Sequence, residues 1–377
     1  MNNTERKLFP FPAIIGQDKL KTAYLANLVN PRIGGLLISG PKGTGKSTIV
    51  HSISSVLPEY HAVQDCPFNC DPADPSRFCS LCRERTGHRA LTRPMRIVNL
   101  PLSCSEDRLV GSIDVEKLLK TGEKVVLPGI LGAANGNILY VDEVNLLPDH
   151  LVDDILDAAA SHWNTIEREG VSVSHPAGFV LVGTMNPEEG DLRPQILDRF
   201  PLCVRIETVK DPELRVAIVR SNLLFEDHPE EFFQRYESQS QALKAAIVTA
   251  RAMLPRVTAG DEAVAAVARS CAELKVDGQR PDIVIIKTAL TLAALNNRTQ
   301  TAREDIMLAA ELALVHRTRD GGLLEPPTSE EIASSFGRHT AAVPAAKDLA
   351  VNENKALQPE QALPGTGSSA DGVKKNK

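Results

Sequence analysis

Aromatic side chains are scarce in this 377-residue chain, 4% of the whole with a single tryptophan, so its interior has to be built from Leu, Ile, Val and Ala. No apolar run approaches the roughly 18 residues that a bilayer-spanning helix needs. Residues 1–10 also hold no hydrophobic signal core, so no membrane insertion is expected and the cytoplasm is the expected location. Lys and Arg nowhere gather into a stripe and the net charge is -6, which leaves out the electrostatic footprint of a nucleic-acid binder. No internal repeat is present. The remainder, 42% hydrophobic and 24% charged, is ordinary globular composition and enough for two domains.

Short, nearly continuous apolar runs at 33–39, 96–100, 137–141, 179–184 and 202–208 predict strands buried on both faces. Helical patterns separate most of them, which predicts a five-stranded parallel sheet in an α/β layer fold over 8–225. From 211 the strand signal stops. Asp211-Pro212-Glu213 has an N-cap, an N1 proline and a first-turn acid, and it opens a helix to about 225. Further Ala-rich helices are predicted at 241–253, 261–274, 282–296 and 302–318, giving an all-helical domain over 226–320. The remaining 321–377 is poor in large apolar residues and is expected to be disordered.

Four motifs converge on a nucleoside triphosphate. Gly40-Pro41-Lys42-Gly43-Thr44-Gly45-Lys46-Ser47, followed by Thr48, fits a phosphate-binding loop and leaves an apolar strand directly. Its glycines let backbone N–H groups turn toward phosphate oxygens, Lys46 reaches the β- and γ-phosphates, and Ser47 ligates Mg²⁺. The apolar strand ending in Asp142-Glu143 supplies a carboxylate for the Mg²⁺ shell and a general base for the attacking water. Asn186, at the end of another apolar strand, has the amide to orient that water; the plainer alternative is a turn residue before Pro187. Arg193 and Arg199 offer a cation for the γ-phosphate of a neighbouring subunit, against the plainer alternative of solvated arginines.

Seven cysteines are an odd number, and Cys66, Cys70, Cys79 and Cys82 crowd together as C-x₃-C-x₈-C-x₂-C within a segment spanning 64–90. Two thiol pairs on Pro-shaped turns can close a structural Cys₄ site for Zn²⁺, with an iron–sulfur cluster as the second option and disulfides or chance thiols as the third. Cys104, Cys203 and Cys271 fit ordinary buried thiols.

The order of these motifs resembles AAA+ ATPases. The strings Pro10-Phe11-Pro12-Ala13-Ile14-Ile15-Gly16-Gln17, Leu100-Pro101-Leu102-Ser103-Cys104-Ser105-Glu106-Asp107-Arg108-Leu109-Val110-Gly111, Val141-Asp142-Glu143-Val144-Asn145-Leu146-Leu147 and Gly183-Thr184-Met185-Asn186-Pro187-Glu188-Glu189-Gly190-Asp191-Leu192-Arg193-Pro194 look like the small ATPase (I) subunit of magnesium chelatase, over 8 to about 320. The resemblance implies an ATPase with a C-terminal helical lid that forms a ring, usually a hexamer. It also implies a second AAA+ subunit with an integrin-type domain and a large subunit that binds the tetrapyrrole and the metal. By the same likeness Asn186 is sensor 1, Arg199 the finger acting in trans, and Arg280 the sensor 2 arginine from the lid. Ile15-Gly16-Gln17 would lie by the adenine, 106–120 would form a helical insertion near the pore, and 165–174 a hairpin before sensor 1. The absence of a DxSxS motif marks the chain as the motor rather than its integrin-bearing partner. The cysteine segment resembles relatives from non-photosynthetic microbes, which brings cobalt or nickel beside magnesium as the inserted metal. A MoxR-type remodelling chaperone and a nucleotide switch without turnover are the competing readings.

Overall fold

The computed structural model describes residues 8–113, 120, 126–168 and 171–349. Residues 114–119 of the expected 106–120 insertion, the turn at Glu169-Gly170 and the chain from 350 onward lie outside the described residues, while Glu106–Val110 is a short helix. The central sheet has five parallel strands: β1 (Leu36–Ser39), β2 (Ile97–Leu100), β3 (Ile138–Val141), β4 (Val180–Met185) and β5 (Leu202–Arg205). Their order across the sheet is β5-β1-β4-β3-β2.

Alternation along each strand explains the unbroken apolar runs. Leu36, Ile38, Ile138, Tyr140, Val180 and Val182 face one apolar layer, while Leu37, Leu139, Val141 and Leu181 face the other. On the second face the helix Asp149–Ser161 contributes Leu151, Val152, Ile155 and Leu156. On the first face the layer is continuous with the helical lid, whose Ile247, Ile285, Ala289 and Ile306 belong to the same buried cluster as β1 and β4. Sheet and lid therefore share one core.

The lid departs from expectation in two places. Its first helix is Pro229–Met253, a dozen residues longer at its start than the Ala-rich pattern suggested, because Pro229 fits the first turn and Phe232 is buried there. The disordered tail expected from 321 is a correction: Ser329–His339 is a helix. The Thr328 hydroxyl accepts from Glu331 N and the Glu331 carboxylate accepts from Thr328 N, a reciprocal cap, and Ile332 and Phe336 are buried one turn apart. Two well-spaced apolar residues suffice here because the lid already offers a surface to receive them.

The seam between lid and β5 is polar and buried. His316 Nε2 donates to Phe200 O at 2.8 Å, and Arg205 Nη2 donates to Val315 O at 3.0 Å. The fully buried Arg317 guanidinium donates to Asp198 and to Pro201 O. Burial pushes the His316 imidazole down to about 3, with the Arg317 charge acting the same way. An unfolded histidine protonates near 6.5, so between about pH 6.5 and 3 the unfolded chain holds the extra proton and stability is lost as pH falls. His162, pushed down to about 4 by burial, contributes with the same sign. The expected result is an unfolding free energy that declines from pH 7 to pH 5, with a shallower slope in His316→Gln, which keeps an N–H donor; equal slopes in urea titrations would refute the assignment.

Candidate nucleotide site

Strand order assembles the site. The loops leaving the C-terminal ends of β1, β4 and β3, three adjacent strands, carry the glycine loop, Asn186 and Asp142. Ligands of open α/β sheets collect at such strand ends.

Gly40 is required by close approach, since a Cβ there would stand 2.6 Å from Ile206 O. Gly43 and Gly45 are left-handed, with φ of +80° and +78°, and the helix Lys46–Ser52 follows at once. The Lys46 ammonium folds over the loop, donating to Gly40 O at 2.5 Å and Pro41 O at 2.9 Å. These are carbonyls it would leave to meet a phosphate. Burial lowers its pKa, while the charges of Asp142, Glu143, Glu189 and Glu188 pull it back up. The lysine and the paired acids therefore share one site, as the motif reading requires.

Asp142 is locked from two sides: its Oδ1 accepts from Tyr140 OH at 2.7 Å and from Thr184 Oγ1 at 2.6 Å. Burial pushes the Tyr140 phenol up to about 12 against the lowering effect of the neighbouring Ser47 side chain, so it stays a neutral donor. Ser47, Tyr140, Asp142 and Thr184 thus form one chain of contacts joining the phosphate loop to the acid strand. Their hydroxyl and carboxylate oxygens are the hard donors that Mg²⁺ prefers. Glu143 adopts φ +53°, uncommon outside glycine, and its N–H donates to Thr184 Oγ1 at 3.2 Å. Thr184 therefore holds both acids, a role the sequence reading did not give it; its only signal was a hydroxyl near the end of an otherwise apolar strand.

Asn186 is 4% exposed, and its Oδ1 accepts from Glu188 N at 3.2 Å. The turn role weighed for it is present, and Nδ2 remains to donate. Asn145 Nδ2 donates to Asn186 O and Gly190 O, bracing this loop against the acid strand. Arg193 pairs with Asp149, and Arg199 pairs with Asp153 at 2.5 Å and with Asp157.

Beside the glycine loop lies a cavity of about 460 Å³ lined by Ile15, Gln17, Lys42, Gly43, Thr44, Gly45 and Thr48. Its opposite wall is Arg215, Ile218, Val219 and Asn222 of the helix Pro212–Asp227, which sequence reasoning did not connect with the nucleotide. Arg280 opens the helix Arg280–Leu295 on the surface and does not line this cavity; its charge is felt instead by Arg317.

The cysteine segment also folds together. Strands Glu59–Val63 and Ala90–Pro94 pair antiparallel and close the ends of the loop between them. Cys66, Cys70, Cys79 and Cys82 are all buried, with their sulfurs within 4.8 Å of one another. All four are free thiols, which corrects the disulfide alternative. Their mutual hydrogen bonds hold the Cys66 thiol down and push Cys70 up.

Comparison with known proteins agrees with this geometry. The family model "Magnesium chelatase, subunit ChlI" matches residues 11–195, and the AAA lid domain model matches 264–335. A magnesium-chelatase subunit ChlI homolog of Methanocaldococcus jannaschii is 46% identical over 327 residues, 86% of this chain and 89% of that protein. Magnesium-chelatase subunit ChlI of Synechocystis sp. is 46% identical over 89% of this chain and 96% of its own length. A structure of the complex between subunits BchI and BchD of magnesium chelatase matches with a TM-score of 0.50 and 39% identity, covering 88% of this chain and 100% of that chain. A putative ATPase of Cytophaga hutchinsonii, at 16% identity and a TM-score of 0.58 over 87% of this chain and 91% of its own, shares the fold. With its phosphate loop, acid strand and lid in their expected order, this chain belongs to the ChlI family of magnesium-chelatase subunits, which are AAA+ ATPases.

Proposed function

We propose that this chain is the ATP-driven motor of a chelatase that inserts Mg²⁺ into a tetrapyrrole. The observation that carries the reading is the link from Ser47 through Tyr140 to Asp142 and Thr184, which joins the phosphate loop to the acid pair. In this mechanism the loop N–H groups and Lys46 hold the triphosphate, and the cavity between Ile15, Gln17 and Ile218 receives the base. Ser47 and Asp142 would hold the Mg²⁺ of the nucleotide, which supplies charge neutralisation at the phosphates. Glu143 takes the proton of the attacking water, and Asn186 Nδ2 orients that water.

The chain itself carries no group for porphyrin chemistry in this reading, so partners complete the reaction: a second AAA+ subunit with an integrin-type domain and a large tetrapyrrole-binding subunit. A homo-oligomeric ring, a hexamer by likeness, brings Arg199 to the nucleotide of the next subunit. Arg280, surface-exposed and away from its own cavity, fits a role toward a neighbour's nucleotide better than toward its own. The relatives are named for magnesium over most of this chain's length, which favours Mg²⁺ over cobalt or nickel and a chelatase motor over a MoxR-type chaperone.

The four cysteines hold a single Zn²⁺ in this reading. Zn–S bonds of about 2.3 Å in a tetrahedron separate the sulfurs by roughly 3.8 Å, and Cys66 and Cys79 stand 3.9 Å apart. An iron–sulfur cluster distributes its thiolates over several irons and needs a wider cage. The decisive experiment purifies the chain with its partner subunits and measures ATP turnover together with insertion of Mg²⁺, Co²⁺ or Ni²⁺ into protoporphyrin. Mg²⁺ insertion dependent on ATP is expected; hydrolysis without insertion of any ion would sink the chelatase reading.

A further inference from the structure

The 64–89 loop, besides gathering cysteines, touches the 163–176 hairpin directly at two points and is tied through Asn135 to the chain that follows it. Phe68, between the first two cysteines, stacks on His175 with ring centroids 4.2 Å apart and planes 14° from parallel. Arg83, next to Cys82, lies over the Trp163 ring at 5.8 Å. Trp163 is paired with Pro176 and Asn164 with His175, so both contacts land at the base of the hairpin, on opposite strands. Asn135 adds a third tie, its Nδ2 donating to Phe68 O at 2.7 Å and Asn69 O at 3.1 Å while its Oδ1 accepts from Gly178 N at 2.9 Å. Gly178 lies just before β4, separated from it by Phe179, and Asn186 follows the strand's far end.

The loop has little means of holding that shape alone. Its regular structure is one turn at Pro75–Arg77 and a five-residue helix at Ser80–Glu84. Its buried cluster is Val63, Phe68, Phe78 and the four cysteines themselves. A core this small needs a covalent or metal cross-link to stay folded, and ligand binding is then its folding energy. Phe68 cannot shift freely either, because a Cβ on Gly132 would already stand 2.9 Å from its ring.

We propose that the zinc-closed 64–89 module is a brace for the 163–176 hairpin, acting through the Phe68–His175 stack and the Arg83–Trp163 contact, so that metal occupancy sets the order of the hairpin base. This rests on the zinc reading of the four cysteines. The hairpin is an insertion between the helix Asp149–Ser161 and β4, and a two-stranded ribbon on its own is marginally stable. Ile166 and Val173 pack on Ile113 on one side, and the brace adds a contact at the hairpin base.

Trp163 is the only tryptophan, so its emission reports on this contact without labelling. The full-length chain is compared as zinc-loaded, chelator-stripped under reducing conditions, and reloaded, with metal content by elemental analysis and thiolate coordination by Co²⁺ absorption. Stripping is expected to shift Trp163 emission and to speed amide exchange across the hairpin by about tenfold or more, with reloading restoring both. Phe68→Ala is expected to loosen the hairpin with zinc still bound. Should that variant fail to hold zinc, Arg83→Gln, at an exposed position, is expected to change Trp163 emission at full zinc content. A chain that binds zinc yet keeps the same hairpin exchange and tryptophan emission when stripped overturns the brace and leaves the zinc reading standing. A chain that binds neither Zn²⁺ nor Co²⁺ overturns both.

Discussion

Arg199→Ala is expected to lower ATP turnover by about 10³–10⁵-fold while nucleotide binding persists, the range that trans-acting arginines command in phosphoryl transfer. In the single chain Arg199 is bound to Asp153 and Asp157 of the helix Asp149–Ser161. Those carboxylates are 50% and 75% exposed, so each pair contributes on the order of 0–1 kcal/mol. Such a tether would cost little to break if the guanidinium moved to a γ-phosphate. Mixed assemblies test the trans assignment directly. Subunits carrying Arg199→Ala but an intact Glu143, combined with subunits carrying Glu143→Gln but an intact Arg199, are expected to regain hydrolysis that neither has alone. Steady-state phosphate release measures it, and mixtures no faster than the sum of the separate variants would refute action in trans.

Glu143→Gln is expected to lower turnover by about 10²–10⁴-fold, the contribution of a positioned general base. The substitution is isosteric and leaves the contacts of Asp142 with Tyr140 and Thr184 in place, so Mg²⁺-nucleotide affinity should change little. The backbone of Glu143 is held left-handed at φ +53° with its N–H on Thr184. Strained backbone at a candidate base is a pattern found where geometry is set for function. Calorimetric affinity and single-turnover hydrolysis on the same preparation separate binding from chemistry. Hydrolysis within tenfold of the unaltered chain would mean that another group takes the proton.

Much of this was legible before any coordinates. The five strands were visible as apolar runs because strands covered on both faces have no polar alternate, and the observed bounds differ mainly by a few residues at the ends. The glycine loop was visible because left-handed φ at Gly43 and Gly45, and the crowding at Gly40, tolerate no other residue well. The helix Ser329–His339 was hidden by composition, since a segment with few apolar residues folds only when their spacing meets a prepared surface. Its Thr328-Ser329-Glu330-Glu331 capping string was the available signal.

By itself the sequence determined what depends on neighbours along the chain: strand and helix content, the phosphate loop, the paired acids at a strand end, and four cysteines close enough in the chain to meet. Each is set by backbone period or by φ/ψ limits acting over a few residues. Tertiary structure alone decided that Ser47, Tyr140, Asp142 and Thr184 form one connected site, that the helix Pro212–Asp227 closes the base cavity, and that Phe68 lies on His175. It also decided that lid and sheet share a core. Some of these contacts join residues more than about 200 positions apart, and they follow from the strand order β5-β1-β4-β3-β2, which no local periodicity encodes.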